Sequence, residues 1–235
     1  MSNIFPPPLV RRLKEEFNFE ESIYFDLKDT EDQAKKALII VDMQNDFLPG
    51  GSLAVPGGDK IVPVINAIQS EFDLVIATQD WHPKDHASFA SNHVAKKIMD
   101  VIELDGLQQV LWPDHCIQGT AGAEFTSDLK TDRVELIVRK GTAQRIDSYS
   151  AFFDNGHKKS TGLAGYLIER GVSQVTVCGL AADFCVYYTA MDALELGFQA
   201  DILLDGTEAI DPDGFSEKTK LFKEKGGVLI PKATH

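Results

Sequence analysis

From Ala37 onward, short unbroken apolar runs alternate with amphipathic stretches. The runs are Ala37–Val41, Leu74–Thr78, Val134–Val138, Gln174–Cys178, Ala200–Leu204 and Val228–Ile230. Their β-branched, nearly continuous apolar character is that of strands covered on both faces. The amphipathic stretches carry helix punctuation. Asp59 is placed to cap a helix over Lys60–Glu71, with Pro63 tolerated in its first turn, and Ser160 to cap Thr161–Arg170, which Gly171 closes. Phe184–Leu196 stops at Gly197, and Ser216–Lys225 stops at Gly226-Gly227. Strands alternating with helices predict an α/β fold: a parallel sheet with right-handed crossovers and helices on both faces. Asn92–Thr131 breaks the rhythm, and so long an irregular stretch predicts an excursion over a functional site. There is no internal repeat and no low-complexity segment.

Met1–Lys36 stands apart from this pattern. It opens with Pro6-Pro7-Pro8 and then mixes Arg11, Arg12, Lys14, Glu15 and Glu16 with Phe17, Phe19, Tyr24 and Phe25. The prolines predict extended chain. The aromatics argue against pure disorder. We read residues 1–36 as an arm packed on its own domain or on a neighbour's, which hints at a homo-oligomer, with a loosely ordered tail as the alternative, and residues 37–235 as one domain.

Composition narrows the classes. A chain of 235 residues, 43% hydrophobic, can bury a full core as one domain. No apolar run is long enough to span a bilayer, and no secretory leader opens the chain. Three scattered cysteines make no disulfide framework, which fits a reducing cytosol. A net charge of −13 argues against nucleic acid or anionic membrane as partner.

The polar residues fall where chemistry would need them. Asp42, Asp80, Lys140 and the turn Gly179-Leu180-Ala181-Ala182-Asp183-Phe184-Cys185-Val186 each follow the carboxyl end of an apolar run. That edge of an open α/β sheet is where ligands bind. Cys185 falls at the start of a helix, where unpaired N–H groups and the dipole favour a thiolate and could hold an oxyanion. Asp42, Lys140 and Cys185 thus form a candidate acid/base–nucleophile set. Each has an ordinary alternative: a capping Asp, a solvated turn Lys, a buried apolar Cys. Together they are harder to explain as packing.

A second set is denser. Gln79–His86 carries Asp80, His82 and His86, and Trp112-Pro113-Asp114-His115-Cys116 adds His115. One carboxylate and two imidazoles suit zinc, iron or manganese and leave open coordination positions. Asp80 and His82, two apart, aim the same way along an extended chain. His86 fits a neighbouring role as well as a ligand's, and Cys116 would make a less usual mixed site.

With these motifs in view, the sequence resembles the nicotinamidase (pyrazinamidase) family of isochorismatase-like cysteine hydrolases. The resemblance is carried by Val41–Phe47, Asp80–Pro83 with Ser88-Phe89-Ala90 and Asn92-His93, Leu111–Cys116, Arg139-Lys140-Gly141, Tyr149–Phe152 and Gly179–Val186. It implies a three-layer α/β/α fold around a six-stranded parallel sheet. It further implies Asp42, Lys140 and Cys185 as catalytic triad, Asp80, His82 and His115 as ligands of one divalent metal with zinc first, and a cis peptide between Leu180 and Ala181. The N–H groups of Ala181 and Cys185 would then hold the oxyanion, and Phe47, Trp81, Leu180, Ala181 and Tyr149 would meet the substrate. The implied activity is hydrolysis of a small aromatic amide: nicotinamide to nicotinate and ammonia, or pyrazinamide to pyrazinoate, in NAD salvage in the cytoplasm. Two rivals are another hydrolase of this fold, acting on a carbamoyl, ureido or enol-ether group, and a non-catalytic binding or redox module. The Asp-Trp-His and Trp-Pro-Asp-His-Cys pair speaks against the first, and the presence of both Asp42 and Lys140 against the second. The arm and the long excursion depart from the compact members.

Overall fold

The computed structural model describes residues 35–231. The elements run β1 (Lys35–Val41), α1 (Val62–Ile68), β2 (Leu74–Asp80), β3 (Val101–Leu104), β4 (Leu107–Val110), β5 (Val134–Lys140), α2 (Leu163–Glu169), β6 (Val172–Leu180), α3 (Tyr187–Glu195), β7 (Gln199–Glu208), α4 (Pro212–Glu224) and β8 (Val228–Ile230). Six of the strands form a single sheet in the order β5-β2-β1-β6-β7-β8. All its pairings are parallel, as the apolar runs predict. The arm expected over Met1–Lys36, and the contact between copies hinted for it, lie outside the described residues, except that Lys35 and Lys36 already belong to β1.

Side-chain alternation along the central strand builds the two outer layers. Ala37, Ile39 and Val41 face a core that includes Leu163 and Leu167 of α2, Tyr187, Ala190 and Ala193 of α3, and Phe222 of α4. Leu38 and Ile40 face the opposite core, with Val62 and Ile65 of α1. All five of these β1 residues are fully buried. At about 1.5–3 kcal/mol for each large apolar side chain, the central strand is a main contributor to the fold's stability. Among the described residues no helix is long and apolar enough to cross a membrane.

Local differences from the sequence reading have identifiable causes. Gly58–Ile61 winds as a tight 3-10 turn into α1, so Asp59 lies within that turn and caps nothing. Ser160 Oγ accepts the Gly162 N–H at 3.0 Å and Thr161 Oγ1 that of Leu163 at 3.2 Å, which delays α2 to Leu163. The last helix starts early, because Pro212 pre-sets its first turn although Pro-Asp-Gly reads as a loop. The excursion contains a hairpin, β3 with β4, around Asp105-Gly106. Both turn residues have positive φ, 52° and 85°, the type I′ combination that Asp-Gly favours.

Candidate active site and metal-ligand cluster

The topology fixes where a site can form. From β1 the chain runs outward through β2 to β5, then returns beside β1 as β6 and runs the other way. The reversal between β1 and β6 opens a crevice at their carboxyl ends. Asp42 leaves β1 there with φ of 50°, a left-handed backbone that few non-glycine residues adopt. Gly179 pairs with Val41, and a Cβ on it would strike the Val41 carbonyl. Only glycine lets β6 close so tightly on β1 and deliver the next turn beside Asp42. The Leu180–Ala181 peptide is cis. Ala182–Val186 then forms a π-type turn before α3, with Cys185 inside it.

Lys140 occupies the centre of this crevice. Its Nζ lies 2.7 Å from Asp42 Oδ2, 2.5 Å from Asp80 Oδ1 and 3.3 Å from Cys185 Sγ. It also donates to the Ser148 carbonyl at 3.1 Å. Thr78 Oγ1 donates to Asp42 Oδ1 at 2.5 Å. Asp42 Oδ2 accepts no hydrogen bond of ordinary geometry, so its contact with Lys140 is an ion pair with a lone pair to spare. Asp42, Asp80 and Cys185 offer donor atoms within 4.8 Å of one another.

Burial sets the protonation states. It raises Asp42 to about 6, against the pull of Lys140 and with help from Asp80. Lys140 is held charged, because Asp42 and Asp80 outweigh its own burial and lift it well above the usual ammonium value. Burial pushes the Cys185 thiol well up; Lys140 opposes this, and the two carboxylates add to it. Enclosure and two nearby anions thus oppose the thiolate that the turn's dipole favours, and leave a proton for Asp42 to take. Near neutral pH the resting pair is a thiol beside a carboxylate. Among the described residues the Ala181 N–H meets no acceptor.

Asp80 links this group to the imidazoles. Its Oδ2 lies 3.6 Å from His82 Nε2 and 3.8 Å from His115 Nε2, beyond hydrogen-bond reach. His82 Nδ1 lies 2.9 Å from the Gly141 carbonyl and His115 Nδ1 2.8 Å from the Pro113 carbonyl. A carbonyl only accepts, so both Nδ1 atoms carry hydrogen and both Nε2 atoms are left facing Asp80. His82 Nε2 is buried with no hydrogen-bond partner among the described residues. Burial lowers the His82 ring, yet Asp80, Asp147 and the Gly141 carbonyl together raise it above its ordinary value, a sign that the spot favours positive charge. Donors about 2.1 Å from one ion at tetrahedral angles sit roughly 3.4 Å apart, so this set fits a divalent cation.

His86 stands behind His82, ring centroids 4.3 Å apart. Its Nδ1 accepts from Ser88, whose Oγ is 2.7 Å away, and its Nε2 faces the Ile146 carbonyl at 3.4 Å. It does not join the Asp80 group; with His82 and Asp147 it forms a neighbouring one.

A cavity opens above the sulfur, lined by Phe47, Leu53, Asp80, Trp112, His115, Asp147, Tyr149, Ala181, Phe184, Cys185 and Ile210. Phe47, Ala181 and Tyr149 therefore stand where a substrate contact was expected. Trp81 and Leu180 do not line this cavity. Trp81 falls between Asp80 and His82, so alternation turns it away, and the Arg139 guanidinium stacks 3.8 Å from its ring centroid. Leu180 is fully buried in the core that holds Leu38 and Ile40. Trp112 and Phe184 supply aromatic wall instead, their rings edge to face at 4.9 Å. Both lie within the motifs Leu111–Cys116 and Gly179–Val186, whereas Asp147 lies outside every motif singled out in the sequence. A separate groove around Val62, Asn66 and Lys130 holds neither thiol nor imidazole.

A profile of the isochorismatase domain matches residues 36–234. The nicotinamidase of Acinetobacter baylyi is 52% identical over 178 residues, 76% of this chain and 83% of that protein. The crystal structure of PnC1 from L. infantum in complex with nicotinate superposes with a TM-score of 0.74 at 44% identity, covering 84% of this chain and 92% of that one. The pyrazinamidase of Pyrococcus horikoshii in complex with zinc gives 0.69 at 38%, covering 83% and 98%. The chain belongs to the isochorismatase-domain family, on its nicotinamidase branch, and is an amidohydrolase.

Proposed function

We propose that this enzyme hydrolyses the carboxamide of a small nitrogen-containing aromatic ring, nicotinamide or pyrazinamide, through a thioester on Cys185. The observation that carries the reading is the buried contact of Lys140 with Asp42, Asp80 and Cys185 at the foot of an aromatic-lined cavity. A relative that holds nicotinate supports the substrate class. Nicotinate formed this way would return to pyridine-nucleotide synthesis, which is NAD salvage.

The cycle uses groups already in place. With the amide seated, Asp42 takes the Cys185 proton and sulfur attacks the carbonyl carbon. The C=O electron pair moves onto oxygen, which the Ala181 and Cys185 N–H groups receive. One such donor is worth roughly 3–4 kcal/mol of barrier. Protonated Asp42 gives its proton to the leaving nitrogen, the C–N bond breaks and ammonia departs. Water then attacks the thioester and passes a proton to Asp42; the C–S bond breaks, the carboxylic acid departs, and Asp42 returns that proton to the sulfur. Lys140 stays charged throughout, holds both carboxylates and offsets the developing thiolate. Asp80, His82 and His115 would hold a divalent ion, zinc ahead of iron or manganese. Bound there, such an ion would supply Lewis-acid chemistry toward a ring nitrogen. Phe47, Trp112, Tyr149 and Phe184 enclose the ring.

Ammonia release from a panel of nicotinamide, pyrazinamide, ureido and carbamoyl compounds tests this. The two ring amides should be turned over and the others spared; turnover confined to ureido or carbamoyl compounds would replace the reading with the rival hydrolase.

A further inference from the structure

The turn that carries Cys185 is fastened from outside by α4. Asp183, buried within that turn, accepts the Ile210 N–H at 3.0 Å and the Asp211 N–H at 2.9 Å on its two carboxylate oxygens. Its carbonyl accepts Lys218 Nζ at 2.5 Å. The turn is thereby tied at both its side chain and its backbone to the entry and body of one helix. Lys218 Nζ also lies 4.6 Å from the Phe184 ring centroid, 5.1 Å from Tyr188 and 5.4 Å from Tyr187. Phe184 and Ile210 line the cavity; Lys218 does not. Phe184 meets Tyr149 edge to face at 5.4 Å, and Tyr149 stacks on Tyr188 at 5.5 Å.

Lys218 is half-buried, sits among three rings and donates to the residue two before Cys185. Burial pulls this ammonium below its usual value, and Asp183, Asp211 and Cys185 sustain its charge. We infer that Lys218 is a positioning residue: it fixes the Asp183–Cys185 turn and the Phe184 wall from behind, and so sets the attack geometry of the sulfur. The inference rests on Cys185 being the nucleophile of the proposed hydrolysis.

The test compares wild type, Lys218→Met and Lys218→Arg for ammonia release from nicotinamide, with thermal melts of each and Cys185→Ala alongside. Met keeps the apolar stem and loses the donor; Arg restores donor and charge. Losing a charge-assisted hydrogen bond that orders a reacting turn should lower kcat about 10–100-fold in Lys218→Met, with KM changed less than about threefold. Lys218→Arg should recover most of the loss, and all three proteins should melt as cooperative folded domains. A Met variant whose kcat stays within about threefold of wild type, a loss expressed wholly in KM, or an Arg variant as impaired as Met would each overturn the inference. Turnover by Cys185→Ala would instead overturn the hydrolysis reading on which it rests, and that result is read separately from the Lys218 pair.

Discussion

Replacing Lys140 by Met removes the one cation that the two carboxylates and the thiol share, while keeping a stem of similar length. The consequences follow from the distances. At an effective dielectric near 20, opposite charges 3.3 Å apart attract by about 5 kcal/mol. That is the support a thiolate at Cys185 would lose, and it corresponds to roughly three to four decades in rate. Stability should fall as well, because removing one partner of a buried ion pair costs about 3–5 kcal/mol. Asp42 and Asp80 would then face each other without a counter-charge, and Asp42 would rise further above 6. The assay is ammonia release from nicotinamide under saturating substrate, with a thermal melt and a metal determination on the same sample. A folded, metal-replete Lys140→Met protein within tenfold of wild type would refute the electrostatic argument. A protein that has lost metal or fold would be repeated with added zinc and at lower temperature before its rate is read.

Other expectations are independent of that one. The kcat/KM profile should fall on the acid side near pH 6, because Asp42 is raised to about 6 and acts only as carboxylate; protonation below that pH removes the base. Thr78→Val deletes the hydroxyl that donates to Asp42 and should move this limb upward, so a limb that stays put or moves down would remove Asp42 from the role. His82→Ala should lower bound metal and activity together, measured by elemental analysis and ammonia release; full activity in metal-free protein would make the cluster structural. Gly141→Ala should reduce metal affinity and cost about 1–2 kcal/mol of stability, because Gly141 has φ of 63° and a Cβ there would collide with the His82 ring. Zinc titration and a denaturant melt check it, and unchanged zinc affinity would count against the fit.

Much of the scaffold was legible because parallel strands buried on both faces leave unbroken apolar runs, and all six runs are strands of one sheet. Asp42, Asp80 and Lys140 could be picked out because each terminates or follows such a run. The rest depended on side-chain direction and on three-dimensional company. Trp81 shares a motif with Asp80 and His82, but its place between those two inward-pointing side chains turns it outward, toward Arg139. Leu180 shares the Gly179–Val186 motif with Cys185, but its side chain packs in the core with Leu38 and Ile40. Phe184 and Trp112 flank residues of obvious chemistry, and their share in the wall shows only once the excursion folds over the crevice. The helix start that favours a thiolate at Cys185 is visible in sequence; the two carboxylates 4.8 Å away or nearer that oppose it are not. Helix ends moved for local reasons, as where Ser160 and Thr161 side chains bond the backbone before α2.

The central claim is that the sulfur of Cys185 forms the bond to the amide carbon. Its most direct test is ammonia release from nicotinamide by Cys185→Ala, measured beside the wild type, with the melt and metal content of both proteins recorded. The account predicts a folded, metal-binding protein that releases no ammonia above the uncatalysed background. Sustained turnover by that variant would contradict it.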